Sequence, residues 1–293
     1  MNIILGATGH IGAAVTRALL AHDAPVTVVT RDAEKAEPSK RAGAAVAVAD
    51  ILDVDALRAV LARGTKAFIL NPPGDPTGDA EADEHRSIAS LLQALRGLDL
   101  EQIVAVSTYG AQPVTGAGDL GTLHTLEEGL RALEVPVVIQ RGAYHFTNFA
   151  MNLDAIRDDG ILQTMFPADL RLPMVAPADL GDHAARLLLG PAGVTGTVDV
   201  EGPARLTMND VAAAFSSAVG RPVRVDTTPR DAWPATFKAL GFSPASAASF
   251  ARMTALTVDG LALPTAPITG PTTIHTWARA AATPTAAATP TAG

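Results

Sequence analysis

A glycine-rich turn near the N-terminus constrains the fold more than any other feature. The apolar run at residues 2–5 leads into Gly6-Ala7-Thr8-Gly9-His10-Ile11-Gly12, and an amphipathic stretch continues to residue 21. In the first βα turn of a dinucleotide-binding fold, the first glycine permits the tight turn, the second lets backbone N–H groups approach a pyrophosphate, and the third lets the helix pack closely on the strand. The helix N-terminus also favours phosphate charge. This context predicts a nicotinamide dinucleotide site, and a strand-turn-helix without a ligand is the alternative.

The apolar pattern of the first half predicts the fold class. Short apolar runs at residues 2–5, 25–29, 44–48, 66–70, 102–106 and 136–140 alternate with amphipathic stretches. Such alternation is typical of parallel strands that crossover helices bury on both faces. The sequence therefore predicts an α/β protein with a doubly wound parallel sheet of the Rossmann type and a smaller, mostly helical C-terminal cap lobe.

The predicted domain boundaries lie where the alternation of apolar runs and amphipathic stretches breaks off. Residues 1–149 are predicted to form the Rossmann domain, with residues 177–200 returning to it, and residues 150–176 and 201–279 to form the cap lobe. Helices are expected in that lobe at residues 208–219, 231–240 and 244–257, with Thr207 or Asn209, and Ser243, as N-caps. Residues 280–293 repeat Ala, Thr and Pro with nothing to bury, which predicts a disordered tail.

Composition excludes several classes of partner. The net charge is −8 and no Lys/Arg cluster is interleaved with aromatic residues, so nucleic-acid binding is not expected. No leader pattern and no apolar run of roughly 18 residues occurs, which predicts a cytoplasmic protein that does not bind a membrane. With no cysteines and widely separated histidines, no metal site is expected. The expected partner is a small-molecule substrate.

The end of the second predicted strand bears on the choice of cofactor. NAD enzymes usually carry an acid there for the ribose hydroxyls, whereas this chain has Thr30-Arg31-Asp32. The Arg31 guanidinium matches a 2′-phosphate, and Lys35 lies one turn later. NADPH is therefore the expected cofactor. Asp32 leaves NADH possible, and a solvated surface arginine is the alternative interpretation.

The other strand ends supply further candidate contacts, because ligands bind at the carboxyl edge of open parallel sheets. Asp50 and Ile51 either reach the adenine or serve an ordinary helix N-cap. Asn71, Pro72 and Pro73 predict a rigid loop along the ribose and nicotinamide, although loop geometry alone would explain them as well. Ser107, Thr108 and Tyr109 end the predicted fifth strand and are expected to face the cofactor.

The sequence lacks the tyrosine–lysine pair that catalyses reactions in many dinucleotide-binding enzymes. A short-chain dehydrogenase usually has a tyrosine followed four residues later by a lysine that lowers its pKa. Here Pro113 follows Tyr109 at that spacing, and Asn148 follows Tyr144. No lysine lies in the helix predicted at residues 120–134. Carbonyl reduction by that mechanism is therefore not expected.

The chain resembles the NmrA-like family of atypical short-chain dehydrogenases. The resemblance rests on the missing pair, on GATGHIG, on Thr30-Arg31 and on VVIQRGAYHFTNF at residues 137–149. It implies NADPH-dependent quinone and azo reductases, isoflavone-reductase-like enzymes, or redox sensors without catalysis. It also implies that Arg31 holds the 2′-phosphate, that residues 71–73 lie along the dinucleotide, and that Ala143, Tyr144 and their neighbours up to residue 146 flank the nicotinamide. Many members carry a lysine on the helix where this chain has His124, Glu127 and Glu128.

The leading hypothesis is an NADPH-dependent oxidoreductase that transfers hydride to a quinone-like or other conjugated small molecule. Such acceptors need mainly proximity and exclusion of water. Protons would come from water, His124 or His145, although histidines in such positions more often have a structural or solvated role. The predicted substrate pocket comprises Tyr109, Tyr144, Phe146, Phe149 and the polar Asn148, with core packing as the alternative for the rings. A non-enzymatic NADP(H) sensor that acts through a protein partner is the other candidate.

Overall fold

The computed structural model of the chain describes residues 1–283. Its strands are β1 (Asn2–Ile4), β2 (Val26–Thr30), β3 (Ala45–Val48), β4 (Lys66–Ile69), β5 (Gln102–Thr108), β6 (Val137–Gly142), β7 (Tyr144–His145), β8 (Ile161–Thr164), β9 (Leu172–Val175), β10 (Gly196–Glu201), β11 (Arg205–Leu206), β12 (Arg224–Thr227) and β13 (Ile268–Thr269). Its α-helices are α1 (His10–Leu20), α2 (Glu37–Arg41), α3 (Val54–Leu61), α4 (Ala80–Leu95), α5 (Asp119–Arg131), α6 (Leu153–Asp158), α7 (Pro177–Leu189), α8 (Met208–Val219), α9 (Trp233–Ala239), α10 (Pro244–Gly260) and α11 (Ile274–Ala282).

The central sheet has eight strands in the order β13-β10-β6-β5-β4-β1-β2-β3, and all neighbours are parallel. Its two faces are buried by different helices. The first hydrophobic cluster joins the sheet to α3, α4 and α5, and the second joins it to α1 and α7. Because helices cover both faces of the sheet, most of its strands are continuous apolar runs rather than alternations of apolar and polar residues. The predicted doubly wound α/β fold is confirmed.

The second lobe packs around its own aromatic core. Two small sheets, β11-β9-β7 and β12-β8, stand beside α6, α8 and α11. The rings of Phe146, Phe149, Phe215 and Trp277 meet in tilted or edge-to-face pairs whose centroids lie 5.9–6.5 Å apart. The N-terminus of α8 is fixed by Thr207, which accepts the N–H of Asp210 in a capping box, and Ser243 caps α10. The N-caps follow the sequence pattern at both helices.

The structure departs from the sequence expectations near the C-terminus. Residues 201–279 are predicted to lie in the second lobe, yet β13 pairs with β10 in the central sheet. The tail predicted at residues 280–293 starts too early, because α11 continues to Ala282 with Ile274 and Ala278 buried against the second lobe. Residues 284–293 of that predicted tail lie outside the described residues. None of the helices described within residues 1–283 has the length and hydrophobicity needed to cross a membrane.

Candidate functional site

The glycine-rich turn joins β1 to α1 at the carboxyl edge of the sheet. Gly6 has a φ of +66°, in the left-handed region that glycine adopts without strain, and its carbonyl accepts the N–H of Gly9 at 3.0 Å. A Cβ atom on Gly12 would collide with the Gly6 carbonyl and would lie 2.9 Å from the Cα of Ala7. The close approach of helix and strand that the sequence predicts therefore depends on glycine at position 12.

Replacing Gly12 with alanine tests this close approach. The added methyl group meets backbone atoms, which yield less readily than a flexible side chain, so we expect Gly12→Ala to lower the free energy of unfolding by roughly 1–3 kcal/mol. Denaturant unfolding followed by circular dichroism measures the loss. Gly78→Ala is the matched control, because its Cβ would make only an ordinary contact of 3.7 Å with the Asp75 carbonyl oxygen. Equal stability of the two variants would contradict the assignment.

A cavity of about 200 Å³ opens beside this turn. It lies where β1, β2, β3 and β4 end, and loops and side chains from four crossovers line it. The lining residues are Leu5, Gly6, Thr8, Val29, Thr30, Arg31, Asp32, Lys35, Ala49, Ile51, Leu57, Leu70 and Pro72. Six of them were predicted cofactor contacts, namely Gly6, Thr8, Arg31, Lys35, Ile51 and Pro72. Asp50 does not line the cavity, and its carboxylate accepts the N–H of Leu52 at 2.9 Å.

Two positive charges at the cavity are not neutralised by protein. Arg31 and Lys35 are exposed and form no salt bridge with any residue in the described part of the chain, 1–283. The neighbouring Asp32 carboxylate instead accepts the backbone N–H of Glu34 at 2.9 Å. Both cationic side chains are therefore available to an anionic ligand group, and the planar guanidinium of Arg31 can bind a phosphate or a carboxylate through two hydrogen bonds.

The hydroxyl groups at the end of β5 are occupied by protein partners. Ser107 donates to the carboxylate of Glu127 at 2.6 Å, and Tyr109 donates to Glu201 at 3.3 Å. Burial, together with the negative charge of Glu201, raises the pKa of Tyr109, so its phenol does not titrate near neutral pH. Asn71, at the end of β4, has a buried side-chain oxygen without a hydrogen-bond partner among the described residues. The sequence pattern did not predict that Glu127 and Glu201 are the hydrogen-bond partners of Ser107 and Tyr109.

The segment after β6 carries Ala143, which is buried, and the half-buried Tyr144. The Tyr144 ring meets Phe149 and Phe166 edge-on, at 5.7 and 5.3 Å, and burial raises its pKa to about 12. Asn148 is exposed beside this tyrosine. Phe146 and Phe149 are only 1% and 3% exposed in the lobe core, which favours the core-packing alternative for both rings.

The two candidate histidines differ in their surroundings. Burial, together with the nearby His10 ring, lowers the pKa of His145 to about 4, so the His145 imidazole is neutral at neutral pH. His124 is half-buried on α5, and its Nδ1 is enclosed without a hydrogen-bond partner within residues 1–283. Because α5 runs back along the sheet from the carboxyl edge, His124 lies one turn nearer that edge than Glu127. The structure does not bring the two histidines together in one hydrogen-bonded pair.

The structure adds a pair of carboxyl groups that sequence reasoning missed. Glu84 on α4 is buried, and it accepts the N–H of Gly74 at 3.2 Å and the hydroxyl of Thr122 at 2.6 Å. Asp119, the first residue of α5, stands near it. Asp119 is an exposed acid in the first turn of α5, where acids are common, and Glu84 is separated by 38 residues from its partner Thr122, so the sequence carried no signal for either residue. In the described chain, no three His, Asp or Glu side chains are grouped as a metal site would require.

The sheet topology and the glycine-rich cavity define a Rossmann-type α/β protein. The chain belongs to the NmrA-like family, whose sequence model matches residues 2–257. It is 26% identical over 224 residues to the NAD(P)H azoreductase of Xenophilus azovorans, covering 76% of each chain. The structure is similar to triphenylmethane reductase from Citrobacter sp., with a TM-score of 0.80, 18% identity and coverage of 96% and 99% of the two chains. It is also similar to the NADPH complex of a quinone oxidoreductase from Escherichia coli, with a TM-score of 0.71, 20% identity and coverage of 86% and 88%.

Proposed function

We propose that the protein is an NADPH-dependent oxidoreductase that transfers hydride to a quinone-like or other conjugated small molecule. The observation that carries this proposal is the cavity beside the glycine-rich turn, with Arg31 and Lys35 unpaired at its rim. The names of the similar proteins, an azoreductase, a triphenylmethane reductase and a quinone oxidoreductase, support the same class of reaction.

The residues of the site fit a dinucleotide. The turn at Gly6 and Gly9 would hold the pyrophosphate at the N-terminus of α1, where backbone N–H groups and the helix dipole favour negative charge. Arg31 and Lys35 would bind the 2′-phosphate, with apolar side chains such as Ile51 lining the same cavity. The loop at Asn71 and the segment at Tyr144 would lie farther along the bound dinucleotide, toward its nicotinamide end. When bound, the nicotinamide supplies the hydride.

The remaining residues position the acceptor and exclude water. A conjugated acceptor is already electrophilic, so orientation beside the cofactor supplies most of what the reaction needs. The α10 helix and the residue that follows it contact the segments after β5: Ser249 accepts the N–H of Gly118 at 2.8 Å, and the side chain of Leu261, just past the end of α10, packs on Gly110. Tyr109 is bound by Glu201 and does not supply the acid-base group of a typical short-chain dehydrogenase.

The test is acceptor-dependent oxidation of NADPH. Purified protein is mixed with NADPH or NADH and a panel of quinones, azo dyes and enones, and the absorbance of the reduced cofactor is followed against protein-free controls. We expect oxidation with at least one class of acceptor, faster with NADPH than with NADH. Tight binding of NADPH, measured by fluorescence titration, without oxidation above the protein-free rate would contradict the enzymatic proposal.

A redox sensor is the second candidate function. It is favoured by the absence of lysine from α5 and by the engagement of the Tyr109 hydroxyl with Glu201. Such a protein would bind NADP and NADPH and present different surfaces to a protein partner. A pull-down made in parallel with each cofactor form tests this candidate, because a set of captured partners that does not change with redox state removes its basis.

A further inference from the structure

The amide side chain of Asn71, at the end of β4, has one polar atom that the protein does not use. Its Oδ1 atom is enclosed by protein and accepts no hydrogen bond from residues 1–283. A buried carbonyl oxygen without a donor has lost its hydration and gained no bond in return, so such atoms are rare in folded proteins. The oxygen of Asn71 is therefore an acceptor for which a donor has to be found outside the described chain.

The residues on both sides of Asn71 belong to the cavity beside the glycine-rich turn. Leu70 and Pro72 both line that cavity. A Cβ atom on Gly6 would lie 3.1 Å from Cδ2 of Leu70, so the end of β4 packs directly against the turn that follows β1. The unpaired oxygen thus belongs to a residue between two that line the proposed dinucleotide site.

The loop that follows Asn71 is fixed at several points. Gly74 donates its N–H to the buried carboxylate of Glu84 at 3.2 Å, and Ser246 on α10 donates its hydroxyl to the carbonyl of Gly78 at 2.8 Å. Two prolines directly follow Asn71, and proline has a fixed φ and no N–H to donate. A loop held in this way cannot easily rearrange to supply a donor to the oxygen, and it holds the amide in place for a ligand.

The order of the strands indicates which part of a dinucleotide reaches Asn71. β2, with Arg31 after its end, lies on one side of β1, and β4 lies on the other side. A dinucleotide with its 2′-phosphate at Arg31 and its pyrophosphate at the turn after β1 therefore continues toward β4. The group that follows the pyrophosphate is the nicotinamide ribose. Its two hydroxyl groups can donate hydrogen bonds, whereas an ionised phosphate only accepts them.

We propose, on the basis of the proposed function, that Oδ1 of Asn71 accepts a hydrogen bond from a hydroxyl group of the nicotinamide ribose. The unpaired oxygen destabilises the free protein, and the ligand removes this cost when it binds. Two measured properties therefore respond in opposite directions when the amide is removed: the free protein becomes more stable, and its affinity for the dinucleotide falls. An asparagine with a structural role would lower the stability when it is replaced and leave the affinity unchanged.

The variant Asn71→Leu tests both directions, because leucine is similar to asparagine in shape and has no polar side-chain atom. We expect the midpoint of thermal unfolding of the free protein to rise by about 2 °C. The Kd for NADPH, measured by isothermal titration calorimetry, should rise roughly 5- to 10-fold. Neither measurement requires turnover.

Asn152→Leu is the matched control. Asn152 is also an asparagine with a buried amide, but its Oδ1 accepts the N–H of Gln163 at 3.0 Å. The substitution leaves that N–H without its partner, so the unfolding midpoint should fall by about 4 °C. The Kd for NADPH should stay at the wild-type value, because Asn152 lies in the second lobe away from the glycine-rich turn.

A shorter ligand locates the contact within the dinucleotide. Adenosine 2′,5′-bisphosphate carries the 2′-phosphate and ends before the second ribose, so Asn71→Leu should leave its Kd unchanged, whereas Arg31→Ala should raise it. Equal weakening of both ligands by Asn71→Leu, an unchanged Kd for NADPH, or a lower unfolding midpoint would each overturn the inference. A wild-type protein that binds neither ligand overturns the proposed function as well. A wild-type protein that binds NADPH without oxidising it overturns only the proposed reductase activity, and the titrations still decide the role of Asn71.

Discussion

Arg31→Ala is expected to raise the Kd for NADPH by roughly 10- to 100-fold and to leave the Kd for NADH nearly unchanged. The two cofactors differ only in the 2′-phosphate, and hydrogen bonds to a charged group contribute about 1.5–3 kcal/mol. Arg31 is free to supply this energy, because it lines the cavity and forms no salt bridge in the described structure. Fluorescence titration of both cofactors on one protein preparation measures the difference.

Arg63→Ala is the control for this prediction. Arg63 is also exposed and forms no salt bridge within residues 1–283, but it follows α3 near the start of β4, at the opposite edge of the sheet. Its removal should change neither affinity. If Arg31→Ala weakened NADPH and NADH binding equally, the guanidinium would contact a part of the dinucleotide that both share, and the assignment to the 2′-phosphate would be wrong.

The fold was predictable because its determinants are local. Parallel strands buried on both faces must be apolar throughout, so the run predicted at 102–106 lies within the observed β5, Gln102–Thr108. The glycine-rich turn is equally local, since its three glycines act within seven residues. The N-caps at Thr207 and Ser243 follow from side chains that bond to backbone groups three residues away.

The polar architecture of the site could not be predicted, because it joins distant residues. Tyr109 bonds to Glu201 across 92 residues, and Glu84 bonds to Thr122 across 38. Neither spacing is a property of a helix or a strand. The same limitation affects β13, whose two residues enter the central sheet only because β10 leaves an edge free for pairing. Two residues form too short a pattern to indicate a strand.

Glu127 is the centre of the strongest buried ion-pair network among the described residues. It is 1% exposed and accepts hydrogen bonds from Arg141 at 2.8 and 2.7 Å, from Ser107 at 2.6 Å and from Arg131 at 2.8 Å. Burial acts to raise the pKa of Glu127, but the hydrogen bonds from Arg141, Ser107 and Arg131 outweigh it, so the net pKa lies below its ordinary value. This network ties α5 to the ends of β5 and β6, beneath the proposed site.

Glu127→Gln is therefore expected to lower the free energy of unfolding by about 3 kcal/mol at neutral pH, because it leaves Arg141 partly buried beside a neutral amide. Glu128→Gln is the matched control: Glu128 is the neighbour of Glu127, binds the same Arg131 and is exposed, so the loss of stability should be below about 1 kcal/mol.

Because the pKa of Glu127 is lower in the folded state than the ordinary 4.5, the stabilising contribution of Glu127 is complete above pH 4.5 and is lost as the pH falls further. The free energies of unfolding of wild type and Glu127→Gln should therefore converge as the pH falls below about 4.5. Urea unfolding of wild type and both variants at a series of pH values measures this change. A Glu127→Gln protein as stable as Glu128→Gln at neutral pH would show that the network offsets only its own desolvation, and that α5 is held to the sheet by Leu126 and Leu130 instead.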